Sequence, residues 1–266
     1  YLQHVDSMRP DVTVKYVFPQ GRSLAQNWVD RIEANIHERP VIVTSFYQEE
    51  YAQLPYRFEP FGQGFLVRAE PNLDLPDNLT PIDVTLSNQV SLLGYLLEND
   101  ETEPSRPVIL SLAWSPIVTP TTDISLFAQL IGYDGALWSA TQDALHPAGR
   151  LVAGEVVIER FVIHPLLHAL PGDYGLKVGA YSPDGRFYAA DGVDAIQLAT
   201  IKIRPSTLRP VTTHPTFARF TAGPTLIGVD YDSSMLGPNG MRAYLHWAGP
   251  GAEADVHLLD RTGPTI

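Results

Sequence analysis

Apolar and polar residues alternate with the period of a strand along most of this chain. Leu110, Leu112 and Trp114 fall on one face of such a run while Ser111 and Ala113 fall on the other, and Leu176, Val178 and Ala180 oppose Lys177 in the same way. Runs of this kind predict strands at 90–97, 108–114, 124–131, 136–141, 155–163, 174–181, 186–190 and 196–203. Asp134-Gly135 and Asp184-Gly185 sit between them and predict tight hairpin turns, because glycine accepts the positive φ such turns require. Short strands at regular spacing with turn signals between them predict an antiparallel β-sandwich, immunoglobulin-like or jelly-roll-like, over 90–204.

The first seventy residues carry a different pattern. Residues 1–8 form a short amphipathic stretch, 12–18 alternate like a strand, and Ser23 stands as an N-cap before Leu24, Trp28, Ile32 and Ile36 at helical spacing. Residues 40–45 are a compact apolar run of the kind buried in a parallel sheet. Two further extended pieces follow at 56–61 and 64–68, so 1–70 reads as a partial α/β segment whose beginning is expected upstream. Prolines and short polar residues from Pro71 to Asn78 open a linker over 71–89, and Pro205 and Pro210 mark a second over 205–216. The whole is predicted to be mostly β, with a small α/β part.

The chain also repeats itself. Ser91-Leu92-Leu93-Gly94-Tyr95 and Leu110-Ser111-Leu112-Ala113-Trp114 return in order as Thr225-Leu226-Ile227-Gly228-Val229 and Ala243-Tyr244-Leu245-His246-Trp247. A third echo sets 128–135 against 256–263. A module recurring in order is a folding unit, and 217–266 therefore reads as an incomplete second β-sandwich repeat in an excised piece of a longer polypeptide. Unpaired edges in that repeat predict either packing on the first sandwich or pairing with another molecule, a homodimer formed through the repeat.

Thirty acidic and eighteen basic residues give a formal charge of −12, without long runs, which argues against nucleic acid as a partner. The absence of cysteine removes thiol catalysis, thiolate metal sites and disulfides. His164 and His168 stand four apart, a metal-ligand spacing on a helix, but Pro165 and the adjacent strand argue against a helix there and no third ligand is evident. Asp230 and Asp232 have the spacing with which sugar-nucleotide transferases hold a divalent ion, and equally the placement of aspartates that start a turn. No serine elbow, phosphate loop or dinucleotide fingerprint occurs, so no catalytic residue, metal site or cofactor is assigned. Asn78-Leu79-Thr80 is a formal glycosylation sequon.

Aromatic residues give the candidate contacts. Trp114 and Trp247 occupy equivalent places in the two copies, on the leucine face, and read as core anchors. Trp138 lies just past the Asp134-Gly135 turn beside Tyr133, where its ring could stay partly exposed and stack on a sugar. With Tyr133 and Tyr181 it forms the candidate glycan contact, packing against a neighbouring domain being the alternative.

Two stretches resemble a known family. Residues 1–12, leading to Arg39-Pro40-Val41-Ile42-Val43-Thr44, resemble a segment near the soluble end of bacterial multi-pass membrane proteins of unknown function. Those proteins are related to the protein O-mannosyltransferases, in the lipid-linked-sugar glycosyltransferase superfamily. Leu93-Gly94-Tyr95, Leu112-Ala113-Trp114, Asp134-Gly135, 154–157, 171–174 and 178–181 resemble an extracytoplasmic module often attached to them. Leu151 stands where that module carries a tryptophan, and Gln129 and Leu130 stand where it carries aromatics. The resemblance implies a tail on the extracytoplasmic face of the cell membrane, with the membrane portion of the same parent chain as partner and the family's catalytic acid far upstream. The expected function is a non-catalytic accessory module that binds or positions a glycan or polypeptide acceptor. The alternatives are a purely structural β-sandwich spacer and a free-standing glycoside hydrolase.

Overall fold

The computed structural model describes residues 13–14, 21–45, 51, 54–62, 64–104, 106–140, 142–166, 169–204, 214–219, 224–237 and 240–248. The chain divides into two compact units, one of 1–166 with 171–204 and the other of 167–170 with 205–266. The predicted strand at 12–18, apart from Thr13 and Val14, lies outside the described residues, as do the third echo at 256–263 and His168.

The first unit begins with a helix on a small sheet. Helix α1 (Leu24–Glu33) is capped by Ser23, whose Oγ accepts the Gln26 N–H at 3.1 Å. The predicted spacing delivers its inner face: Val29 and Ile32 are buried with Val43, Tyr51 and Val67, and Trp28 and Ile36 pack against them. The sheet contains β1 (Val41–Val43), β2 (Arg57–Phe61) and β3 (Gly64–Arg68) in the order β1-β3-β2. Here the parallel-sheet reading of 40–45 is corrected. Strand β1 pairs antiparallel with β3, Val41 opposite Val67 and Val43 opposite Phe65. A parallel strand is covered on both faces, whereas Ile42 is half exposed and only Val43 is buried.

The sandwich has two sheets. One contains β4 (Thr80–Leu86), β5 (Val90–Leu97), β7 (Val108–Pro116) and β10 (Val157–Ile163), ordered β10-β7-β5-β4. The other contains β6 (Glu101–Thr102), β8 (Ile124–Ile131), β9 (Gln142–His146), β11 (Gly172–Ser182) and β13 (Ile196–Ile203), ordered β6-β13-β11-β8-β9, with β12 (Gly185–Arg186) pairing β11. Pairing is antiparallel except between β13 and β6. The core is the one that alternation predicts: Leu110, Leu112 and Trp114 of β7, Leu126, Ala128 and Leu130 of β8, and Leu176, Val178 and Ala180 of β11 are all fully buried.

Three element readings change. The predicted 71–89 linker contains β4, in which Ile82, Val84 and Leu86 face inward at the edge of a sheet; Pro81 is tolerated because an edge strand has a side that donates to no neighbour. The predicted strand at 136–141 is a turn return held by single bridges, Ile131 to Leu137 and Ser139 to Pro165, and the continuous strand forms just after it as β9. The predicted strand at 186–190 shortens to β12.

The second unit contains β14 (His214–Arg219), β15 (Thr225–Gly237) and β16 (Gly240–Ala248), ordered β14-β15-β16. Its register reproduces the first sheet of the sandwich. Leu92 faces Trp114, a register shift follows, and Gly94 faces Ala113; Leu226 faces Trp247, a shift follows, and Gly228 faces His246. The neighbouring strand matches too, although its sequence shows little likeness. Pro81 faces Gly94 and, after a shift, Val84 faces Leu92, just as Pro215 faces Gly228 and, after a shift, Ala218 faces Leu226. The repeat is thus a three-stranded structural unit with conserved bulges. A Cβ on Gly94 would stand 3.0 Å from the Leu79 Cβ and 3.1 Å from the Thr80 carbonyl oxygen, so at this bulge the glycine admits the adjoining chain.

Candidate functional site

The three aromatic candidates are not brought together. Trp138 is only 3% exposed, which corrects its reading as a partly exposed stacking ring. Its Nε1–H donates to Asp134 Oδ1 at 3.1 Å, and its ring stands edge-on to Tyr174 at 5.9 Å between centroids. A Cβ on Gly132 would come within 2.6 Å of Nε1, so the missing side chain there makes room for the indole. Tyr133 is 93% exposed in the turn beyond β8. Tyr181 is half-buried and faces Ser125 at the opposite end of β8. The strand rise puts about 20 Å between the two ends of β8, too far for one sugar ring to touch both tyrosines. The Tyr181 hydroxyl donates to Asp143 Oδ2 at 2.7 Å, and Arg186 lies 5.4 Å from the tyrosine ring and 4.3 Å over Phe127. The bond to Asp143 holds the proton on the phenol and raises its pKa above the ordinary 10.0, against an opposing hydrogen bond with Ser125.

A cleft of about 840 Å³ opens elsewhere, between the small sheet and the seam of the sandwich. The seam begins where the Ser139–Pro165 bridge ties the two sandwich sheets together, with Ala140 N–H on the His164 carbonyl and Leu166 N–H on the Trp138 carbonyl, both at 2.9 Å. From that junction β9 runs onward and β10 runs back. Residues 143–146, 157–162 and 57–60 all line the cleft. Side chains alternate between the faces of a strand, so lining by consecutive residues means that the cleft follows the edges of β9, β10 and β2. Each of these strands is the outermost in its sheet among the described residues.

The cations of the cleft are matched. Arg57 grips Glu155 with Nε at 2.8 Å and Nη2 at 3.2 Å, and Glu155, 1% exposed, also accepts the Val152 N–H at 3.2 Å. Arg68 reaches Glu59 at 2.5 Å, Arg150 donates to the Leu54 carbonyl at 2.6 Å, and Arg160 bonds the Gly62 carbonyl and Glu98, the latter at 3.1 Å. His146 of β9 crosses the seam to Glu159 of β10 at 2.8 Å, an ion-pair distance without hydrogen-bond alignment, and its ring stands edge-on to the buried Trp114 at 5.0 Å. Beside these charges the lining is largely apolar, with Phe58, Phe65, Leu145, Leu151 and Val152, and Phe58 stacks on Tyr51 at 4.6 Å.

Sequence reasoning missed this cleft. Glu155 falls in the 154–157 motif that carries the resemblance, but Arg57, 98 residues away, has no signal pointing to it. The remaining candidates stay separate: His164 is exposed, Asn78 is exposed ahead of β4, and Asp230 is engaged by His246 Nε2 at 2.8 Å in the second unit. Among the described residues no group of three His, Asp or Glu side chains is placed to hold a metal ion, and no helix is long and apolar enough to cross a membrane.

No family model matches the sequence, and no curated protein matches it. Among solved structures the chain is similar to a Niemann-Pick type C2 protein from Japanese carpenter ant, at 7% identity and a TM-score of 0.32, over 44% of this chain and 95% of that one.

Proposed function

We propose that this protein is a binding module without a reaction of its own, which holds a glycan or polypeptide acceptor in the cleft between the small sheet and the β9–β10 seam. The carrying observation is the cleft itself: its volume is in the range of ligand sites, its walls combine apolar side chains with charged ones, and those charges face partners within the protein. The carboxylates lining it support a non-catalytic reading, since Glu59, Glu155, Glu159 and Asp143 each face a cationic or hydrogen-bonding partner rather than one another. The resemblance of 1–12 and of the sandwich motifs to membrane glycosyltransferase-like proteins supports the remainder of the proposal. The module serves an active site in the membrane portion of its parent chain, on the extracytoplasmic face, and the parent carries any transferase activity.

The test is binding of the full chain to a glycan array and to a peptide library, with Leu145→Asp and Val152→Asp measured beside it. Both side chains are about two-fifths exposed, so the variants fold. Ligands retained by the parent sequence and lost by the variants support the proposal. A chain that retains neither class is a structural spacer, the reading favoured by the Arg57–Glu155 clasp between the small sheet and the sandwich.

A further inference from the structure

We infer that the ligand of this cleft is the carboxyl-terminal end of a polypeptide, its carboxylate held by Arg150 and its last side chain by the apolar lining; the inference rests on the binding reading above and names its ligand class. Four arginines line the cleft. Three of them meet carboxylates, Arg57 at Glu155, Arg68 at Glu59 and Arg160 at Glu98. Arg150 instead donates through Nη1 to the Leu54 carbonyl at 2.6 Å, and no carboxylate stands within ion-pair distance of it among the described residues. A carbonyl accepts a hydrogen bond and leaves the positive charge unneutralised. The lining acids that meet no arginine are Asp143 and Glu159, and both are engaged, by the Tyr181 hydroxyl and by His146.

The guanidinium is also held in position. Arg150 stands in the loop after β9, its N–H on the Pro147 carbonyl at 3.3 Å and its own carbonyl accepting from Arg57 Nη2 at 3.4 Å. With Nη1 fixed as well, little conformational freedom is left to lose on binding. The Nε and Nη2 edge carries no protein acceptor among the described residues, and neither atom is sealed from solvent. That edge presents two parallel N–H groups, the fork that grips a carboxylate bidentately. Leu151 and Val152 follow Arg150 directly, and Leu145 and Phe58 line the same cleft. The fitting ligand therefore carries an anion and an apolar group close together. Only at a chain end does one residue supply both, because an aspartate or glutamate side chain puts the charge in place of the apolar group. An acidic sugar carries hydroxyls around its ring, which apolar walls would leave unpaired.

The experiment is fluorescence anisotropy of the full chain with amino-terminally labelled pentapeptides, varied over apolar residues at the last two positions and each made with a free carboxylate and with a carboxamide. The expected result is that the best free acids bind about tenfold tighter than their amides, because the charge-assisted fork is lost with the charge. Arg150→Gln, which keeps a donor for the Leu54 carbonyl, removes that difference by weakening the acids alone at unchanged melting temperature, and Arg150→Lys restores part of it. Added salt weakens the acids and spares the amides. Equal affinity of acid and amide for the unsubstituted chain, or an equal loss of both in Arg150→Gln, overturns the inference. Binding of a glucuronate-bearing oligosaccharide at the cleft without peptide binding overturns it while leaving the binding reading intact, and failure of both ligand classes overturns the two together.

Discussion

Trp138 and Tyr181 show how neighbours decide what an aromatic side chain does. Trp138 follows an Asp-Gly turn, a place where rings are commonly exposed, yet the absence of a side chain at Gly132 and the Asp134 carboxylate draw it into the protein. Trp138→Ala is therefore expected to cost about 3 to 5 kcal/mol in urea unfolding and to leave ligand binding at the cleft unchanged. Tyr181 makes a pH prediction. Its raised pKa means the folded state holds the phenolic proton more tightly than the unfolded chain, so this contribution is intact below about pH 10 and is lost as pH rises through the folded value. Tyr181→Phe should flatten the loss of stability as pH rises above about 10, measured by urea unfolding against the unsubstituted chain; parallel curves for the two would refute the assignment.

Among elements, the join between the small sheet and the sandwich includes an ion pair whose carboxylate is buried, beside the hydrogen bonds of Arg150 and Arg160. Removing one partner strands the other, so Glu155→Gln is expected to destabilise by about 3 kcal/mol or more, whereas Arg57→Met with Glu155→Leu should cost less than the sum of the single changes. A double-mutant cycle in urea checks this. The β4–β5 hairpin offers the opposite case. Ser87 and Asn88 both hold positive φ, 48° and 51°, and Ser87 is secured by the Tyr188 backbone, which accepts from its N–H at 2.7 Å and donates to its Oγ at 2.9 Å. Asn88 lies in the same turn, and Asn88→Gly should raise stability by up to about 1 kcal/mol, read as a higher denaturation midpoint.

For the whole molecule, the recurring register of β14, β15 and β16 is the main result. In the sandwich, the strand that corresponds to β16 is β7, which carries β10 on its far side; among the described residues β16 has β15 as its one neighbour. We propose that a second copy of the chain pairs there. Sedimentation equilibrium is expected to show a dimer, and Leu245→Pro in β16 to shift it toward monomer by removing a backbone donor. A monomer at every concentration would rule this out.

Much of this architecture was legible in the sequence because its signals are local. A cap at Ser23, a period of two at Leu110-Leu112-Trp114 and a glycine after Asp134 each act within a few residues, and the repeat of Leu92 and Trp114 as Leu226 and Trp247 carried pairing information as well. Strand β4 escaped because its proline reads as a break in sequence and is harmless only at an edge. The cleft was not legible at all. Central and edge strands share one period, so nothing in Val157–Ile163 announces that it stands last in its sheet among the described residues, and nothing near Arg57 points to Glu155. The sequence by itself determined which segments extend and which residues they bury. The tertiary structure alone decided which strands become neighbours and which charges meet, because both depend on how distant segments are brought side by side.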